Sequence, residues 1–230
     1  MPAQGIWLFV KIRRLRIYLG YWRLLLLIAI TTVFAYPSSL PPLKKMVFSA
    51  LLLYPNIWDN WLLPAWSLTM EIYFYLWIAA IAMLPQRHQL KAIIFGLALL
   101  ATWGAGWLVA NHSAVFAGQQ PLRYALTGLG IEFLAGALVA YLYEGRPQPF
   151  RRPYIAIATC VGFMAAGIAL GMTSPYFDRV EVMRAGSFGV AGIAALVAAL
   201  ALEQTRHTPP HWLVTLGDAS FSLYLLHTFL

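Results

Sequence analysis

The sequence predicts an all-α protein, a polytopic transmembrane helix bundle of about seven spans. Three observations predict it. Of its 230 residues, 61% are hydrophobic and only 10% are charged, with a mean hydropathy of +0.70, which is the balance of a chain whose solvent is largely lipid. The apolar residues gather in runs of roughly 18 to 20, the length that crosses a hydrocarbon core. Nine Trp, twelve Tyr and thirteen Phe supply the aromatic belts expected at both membrane–water interfaces. A net charge of +8 reads in such a chain as loop charge, not as a nucleic-acid surface. The single Cys160 excludes a disulfide within the chain and reads as a small buried hydrophobe.

The first expected span is 18–36, Leu-rich and closed by Pro37, behind the basic cluster Lys11-Ile12-Arg13-Arg14-Leu15-Arg16. Basic residues before an apolar run also describe a signal peptide, but this run is long and many more follow it. Five prolines between Pro37 and Ala65 mark a loop with a short interfacial piece near Met46 to Tyr54. The second span, 66–84, is followed by a polar turn from Pro85 to Lys91. The third and fourth cover 92–110 and 124–143, with Glu132 inside the latter. Beyond the basic loop Glu144 to Pro153 lie the fifth, 154–172, the sixth, 185–202, and the seventh, 213–230. Gly186, Gly189 and Gly192 in the sixth are expected to let a neighbouring helix approach closely. No soluble domain and no internal repeat is visible.

Alternating spans divide the Lys and Arg residues unequally. Lys11, Arg13, Arg14, Arg16, Arg23, Arg87, Lys91, Arg146, Arg151, Arg152 and Arg206 fall on the side of the N-terminus; Lys44, Lys45, Arg123, Arg179 and Arg184 fall on the other. That bias predicts a cytoplasmic N-terminus.

The polar residues inside the spans carry the chemistry. A charge at that depth costs about 2.5–3.5 kcal/mol on insertion scales, so each calls for a partner or a function. Ser67, Glu71 and Tyr75 stand at i−4, i and i+4 and make one polar stripe on an apolar helix. Glu132, between Gly128 and Gly136, either meets a neighbouring hydroxyl or Arg as a helix lock or belongs to a site. Arg13 and Arg16, three apart, are topology determinants or a phosphate clamp, the planar guanidinium fork being suited to phosphate oxygens. In the last span Asp218 and His227 are nine residues apart and face opposite sides, which argues against a Ser-His-Asp triad. Ser220, Tyr224 and His227 instead share a face and form a polar ridge. No histidine pair has metal-ligand spacing, since Pro209-Pro210 interrupts His207 and His211. Asn111-His112-Ser113 matches a glycosylation sequon, a common chance match.

Three stretches together resemble a known family. Arg13-Arg14-Leu15-Arg16-Ile17-Tyr18 with Tyr21-Trp22 is similar to the R-x-x-R-I-Y…Y-W start of the third span in membrane-bound acyltransferase 3 proteins. Trp66-Ser67-Leu68…Glu71…Phe74-Tyr75 resembles their W-S-L-x-x-E-x-x-F-Y signature. The stretch from Leu216 to His227 resembles their L-G-x-x-S-Y-S-L-Y-L-x-H motif. Leu19 replaces a frequent Pro, and Ile72 and Tyr73 replace a common Glu and Gln.

The resemblance implies O-acyl transfer, typically of acetyl, from cytoplasmic acyl-CoA (acetyl-CoA) to a hydroxyl of a sugar or lipid-linked glycan, in a bacterial inner membrane and among its lipids. No bound cofactor is implied. Glu71 would support catalysis; Arg13, Arg16, Trp66, Ser67, Tyr75 and His227 would contact substrates. Aligned this way, the chain covers spans three to nine of about ten, without the first two and the last. The family's presumed catalytic His lies on the first span, and none of the five histidines here matches it. An inactive remnant is therefore a second reading. A transporter, with Glu71, Glu132, Asp218 and His227 along its pathway, is a third, although the paired broken helices of transporters are not found.

Overall fold

A computed structural model describes residues 3–53, 60–110, 128–144, 150, 152–173, 184–205 and 209–226. The protein is a polytopic all-α bundle, and no strand occurs among the described residues. Its helices are α1 (Ala3–Ala35), α2 (Leu43–Ala50), α3 (Trp66–Met83), α4 (Gln86–Ala110), α5 (Gly128–Tyr143), α6 (Pro153–Thr173), α7 (Val190–Glu203) and α8 (His211–Leu226). Two compact units share them, α1 to α3 with α8 in one and α4 to α7 in the other. Among the described residues, five helical stretches are long and apolar enough to cross a membrane: Gly5–Ala35, Leu63–Met83, Gln86–Gly106, Pro153–Thr173 and Ala185–Glu203; Gly128–Tyr143 is a shorter apolar helix. Phe34, Met83 and Met172 leave 84%, 74% and 78% of their surface uncovered by protein, which in a bilayer is surface for lipid tails.

Two boundaries differ from expectation. The basic cluster is not a separate segment: α1 starts at Ala3 and carries it within one helix of 33 residues, about 50 Å long against a hydrocarbon thickness of about 30 Å. The stretch Pro85 to Lys91 is not a turn: all of it but Pro85 is the start of α4. Proline is at home just outside a helix start, where its missing N–H costs nothing, and Pro85 accepts from the His88 N–H.

In the first unit, Ile17, Tyr21, Leu25 and Ile28 make one stripe of α1, buried against Leu52, Leu62, Ala65 and Leu68. The expected interfacial piece is the helix α2, and it folds back along α1. Its C-terminal carbonyls lie opposite Tyr18 to Trp22, roughly 20 Å back from Ala35 along the α1 axis. A helix ends there with carbonyls that have no partner within it, and each finds one nearby. Leu52 N–H donates to Ser49 O and Leu53 N–H to Phe48 O, at 3.0 and 3.1 Å, the paired bonds of a Schellman motif. Tyr21 Oη donates to Ser49 O (3.0 Å), Trp22 Nε1 to Ala50 O (2.8 Å) and Tyr18 Oη to Leu51 O (2.9 Å). Ser49 Oγ in turn accepts from Trp61 N–H at 2.9 Å, tying in the far side of the loop.

In the second unit, α6 packs on α7 and on a π-helical turn, Ala185–Gly189, that precedes it; α5 packs on the same turn. Of the three sixth-span glycines only Gly189 is a point of close approach. Gly186 and Gly192 have open space where a Cβ would stand, because the wider π turn takes them off a common face. Further close approaches are made by α4, where a Cβ on Gly96 would stand 2.9 Å from Leu134 Cδ1, and by α6, where one on Gly167 would stand 2.6 Å from Ser187 O.

Leu52 occupies the Schellman position that normally holds glycine, with φ 53°, yet it is 2% exposed in the core. Burial of its side chain offsets left-handed strain of about 1–2 kcal/mol. Leu52→Ala keeps the strain and loses the burial, so it should destabilise by about 2–5 kcal/mol. Leu52→Gly should be the milder substitution by about 1 kcal/mol. Denaturant unfolding of the two variants in detergent checks this, and the opposite order would refute it.

Candidate functional site

The stripe that buries Ile17 and Tyr21 runs on towards the N-terminus in steps of four, to Arg13 and Phe9. This places a charged residue on the face of α1 that meets α3. The Arg13 guanidinium carbon lies 5.5 Å from the centre of the Tyr75 ring and 5.6 Å from that of Phe9. These are distances at which a cation is drawn to an aromatic face. The Phe9 and Tyr75 rings meet edge to face, 5.9 Å apart at 84°. Tyr75 Oη donates to Glu71 Oε1 one turn back on α3. One aromatic ring thus joins the only acidic residue of its helix to an arginine of another. The carboxylate has a donor, the cation has two faces to rest on, and all four side chains are part-buried.

The other candidate residues are placed differently. Ser67 does not extend the pair: its hydroxyl donates to Pro64 O at 3.1 Å, closing the 3-10 turn Leu63–Ala65 that leads into α3. Trp66, half-buried, is the first residue of α3. Arg16 is exposed on the flank of α1, beside and not within the stripe that holds Arg13. Lys11 and Arg14 line a different groove, of about 330 Å³, with Trp7, Tyr18 and Trp22. The basic cluster is therefore spread over three faces of α1. His227 lies outside the described residues, as do His112, His207 and the sequon at Asn111. Asp218, Ser220 and Tyr224 are exposed on α8, where Ser220 Oγ donates to Gly217 O. Among the described residues no three His, Cys, Asp or Glu side chains gather as metal ligands would.

Phe9 was missed by sequence reasoning. It lies four residues before Arg13, and that i, i+4 spacing was the signal that could have found it. Glu132 belongs to the other unit, with Oε1 buried against Gly189 and without a hydrogen-bond partner.

The arrangement pairs a carboxyl with a hydroxyl donor and presents positive charge beside them. Removing the Tyr75 hydroxyl while keeping its ring should cost about 1–3 kcal/mol, the penalty of a buried acceptor left unpaired. Tyr75→Phe combined with Glu71→Leu should recover most of that loss, because both polar partners are then gone. Unfolding of the single and double variants in detergent measures it; strictly additive losses would mean that the bond is not what couples them.

The sequence model of a family described as an acyltransferase domain matches residues 2–230 of the chain. The exopolysaccharide production protein ExoZ of Rhizobium meliloti (strain 1021) is 30% identical over 179 residues, which is 76% of this chain and 51% of that protein. The chain thus spans about half the length of this curated relative. No solved structure matches it.

Proposed function

The chain belongs to the membrane acyltransferase 3 family, and from that membership we propose that it serves O-acyl transfer to a polysaccharide or its lipid-linked precursor. The donor is acyl-CoA, with acetyl as the group transferred, and the acceptor is a sugar hydroxyl. The name of the relative ExoZ, an exopolysaccharide production protein, favours that acceptor class. The protein sits in a bacterial inner membrane with the N-terminal end of α1 towards the cytoplasm, as the uneven spread of Lys and Arg favours.

One observation carries the reading. Arg13 and Glu71 come from two separate motifs of the resemblance, and both meet at the Tyr75 ring. In transfer, the acceptor oxygen attacks the thioester carbonyl carbon, a C–O bond forms, the C–S bond breaks, and the thiolate leaves with the proton the hydroxyl gave up. The cationic part of α1 answers the donor: Arg16, exposed, and Arg13, at the rim of the cluster, hold CoA phosphates through charge-assisted bonds. The Glu71–Tyr75 pair relays the proton or orients the base that takes it. The base itself is assigned to no residue of this cluster.

Acyl-CoA binding to the purified protein tests the proposal. Arg16→Ala should weaken it by roughly 10- to 100-fold, the worth of charge-assisted hydrogen bonds, while Arg14→Ala, on another face, should change it less than about twofold. Glu71→Gln should leave acyl-CoA binding intact and slow transfer. Equal affinity in wild type, Arg13→Ala and Arg16→Ala would sink the donor site. Solute flux through proteoliposomes without any acyl-CoA would favour a transporter instead.

A further inference from the structure

In the second unit one oxygen of a carboxyl group is buried without a hydrogen bond, and an apolar cavity lies beside the group. Glu132 projects from α5 towards the π turn, and a Cβ on Gly189 would stand 2.8 Å from its Cγ and 3.2 Å from Oε1. Glycine at that point is what admits the side chain. Oε1 is buried, yet no hydrogen bond reaches it, so the helix-lock reading lacks the bond that would make a lock. The hydroxyl nearest in sequence to Gly189, that of Ser187, donates to Arg184 O, and Arg184 acts on Glu132 through its charge. Next to the carboxyl lies a cavity of about 390 Å³ between α5, α6 and α7, lined by Cys160, Phe163, Val190, Ile193 and Val197 among others. That volume is within the range of small-molecule sites. Phe163 and Val190, at 57% and 41% exposure, stand where lipid can enter.

An orphan acceptor in a nonpolar site costs free energy until a donor arrives. The surroundings limit what that donor can be. An ammonium would bring a full charge into an apolar lining at a steep desolvation cost, and a fatty carboxylate would face Glu132 with no proton to give. A neutral hydroxyl on a hydrocarbon chain meets both conditions and matches the apolar lining. The π turn adds to the case, since such turns recur where helices are shaped for function.

We propose that this cavity binds a membrane-resident single-chain lipid alcohol, whose hydroxyl donates to the Glu132 carboxyl while its chain fills the space beside Cys160. The site is separate from the Glu71 cluster and does not depend on acyl transfer.

Cys160 is the one cysteine of the chain, so its alkylation reports on the cavity alone. The protein, reconstituted in phosphatidylcholine vesicles, is treated with N-ethylmaleimide in the presence of dodecanol or of dodecane. Dodecanol should slow alkylation about fivefold more than dodecane, the equivalent of one net hydrogen bond. Glu132→Leu should erase that difference, and Glu132→Gln, which keeps an acceptor oxygen, should retain it. Equal protection by alkane and alcohol in the wild type would overturn the proposal without recourse to any variant. So would undiminished preference for the alcohol in Glu132→Leu.

Discussion

A chain in hydrocarbon has no water to satisfy its backbone, so every N–H and C=O must find a partner within the protein. Helices meet that demand for themselves except at their ends, and one such end is that of α2, folded back along the middle of α1. Tyr18, Tyr21 and Trp22 meet it by donating to three successive carbonyls. The paired aromatic residues of the first motif therefore have a structural task that their sequence context does not announce. Much follows from it. Leu62, Ala65 and Leu68 pack into the same core as Tyr21 and Leu52, which sets the depth at which α3 begins. That depth in turn brings Tyr75 level with Arg13.

The two intramembrane glutamates answer the cost of a buried carboxyl differently. Glu71 has a donor on its own helix, one turn away, and a cation beyond that donor. Its cluster is complete in itself and can respond to a substrate only by exchanging a proton or yielding a contact. Glu132 has been given room instead of a partner. Glycine and a π turn make space for a carboxyl and leave one of its oxygens without a hydrogen bond. The first arrangement suits a group that must be poised, the second a group that must wait for a ligand.

The fold class was legible because hydropathy and run length are properties of the chain alone. The pairing of Glu71 with Tyr75 was legible for a similar reason, as i and i+4 are neighbours on any helix. Ser67 shows where that argument stops: it has the same spacing, but the backbone turn before it offered a nearer carbonyl. The convergence of Arg13 with Glu71 is a tertiary fact, and only the family motifs hinted at it. Two features left no trace in pattern or composition. The fold-back of α2 depends on which face of α1 carries the donors, and the π turn shifts the register of the sixth-span glycines without changing their spacing. Pro85 was misread because proline both ends one helix and begins the next.

The bonds at the end of α2 also set an order of assembly. Helix α1 carries its backbone bonds with it and can enter a bilayer alone. The segment from Leu43 to Leu53 cannot, because at that depth the carbonyls of Ser49, Ala50 and Leu51 would meet only lipid. It can settle beside α1 only once Tyr18, Tyr21 and Trp22 are already there to receive it. The first helix is thus a template for α2, the helix that follows it.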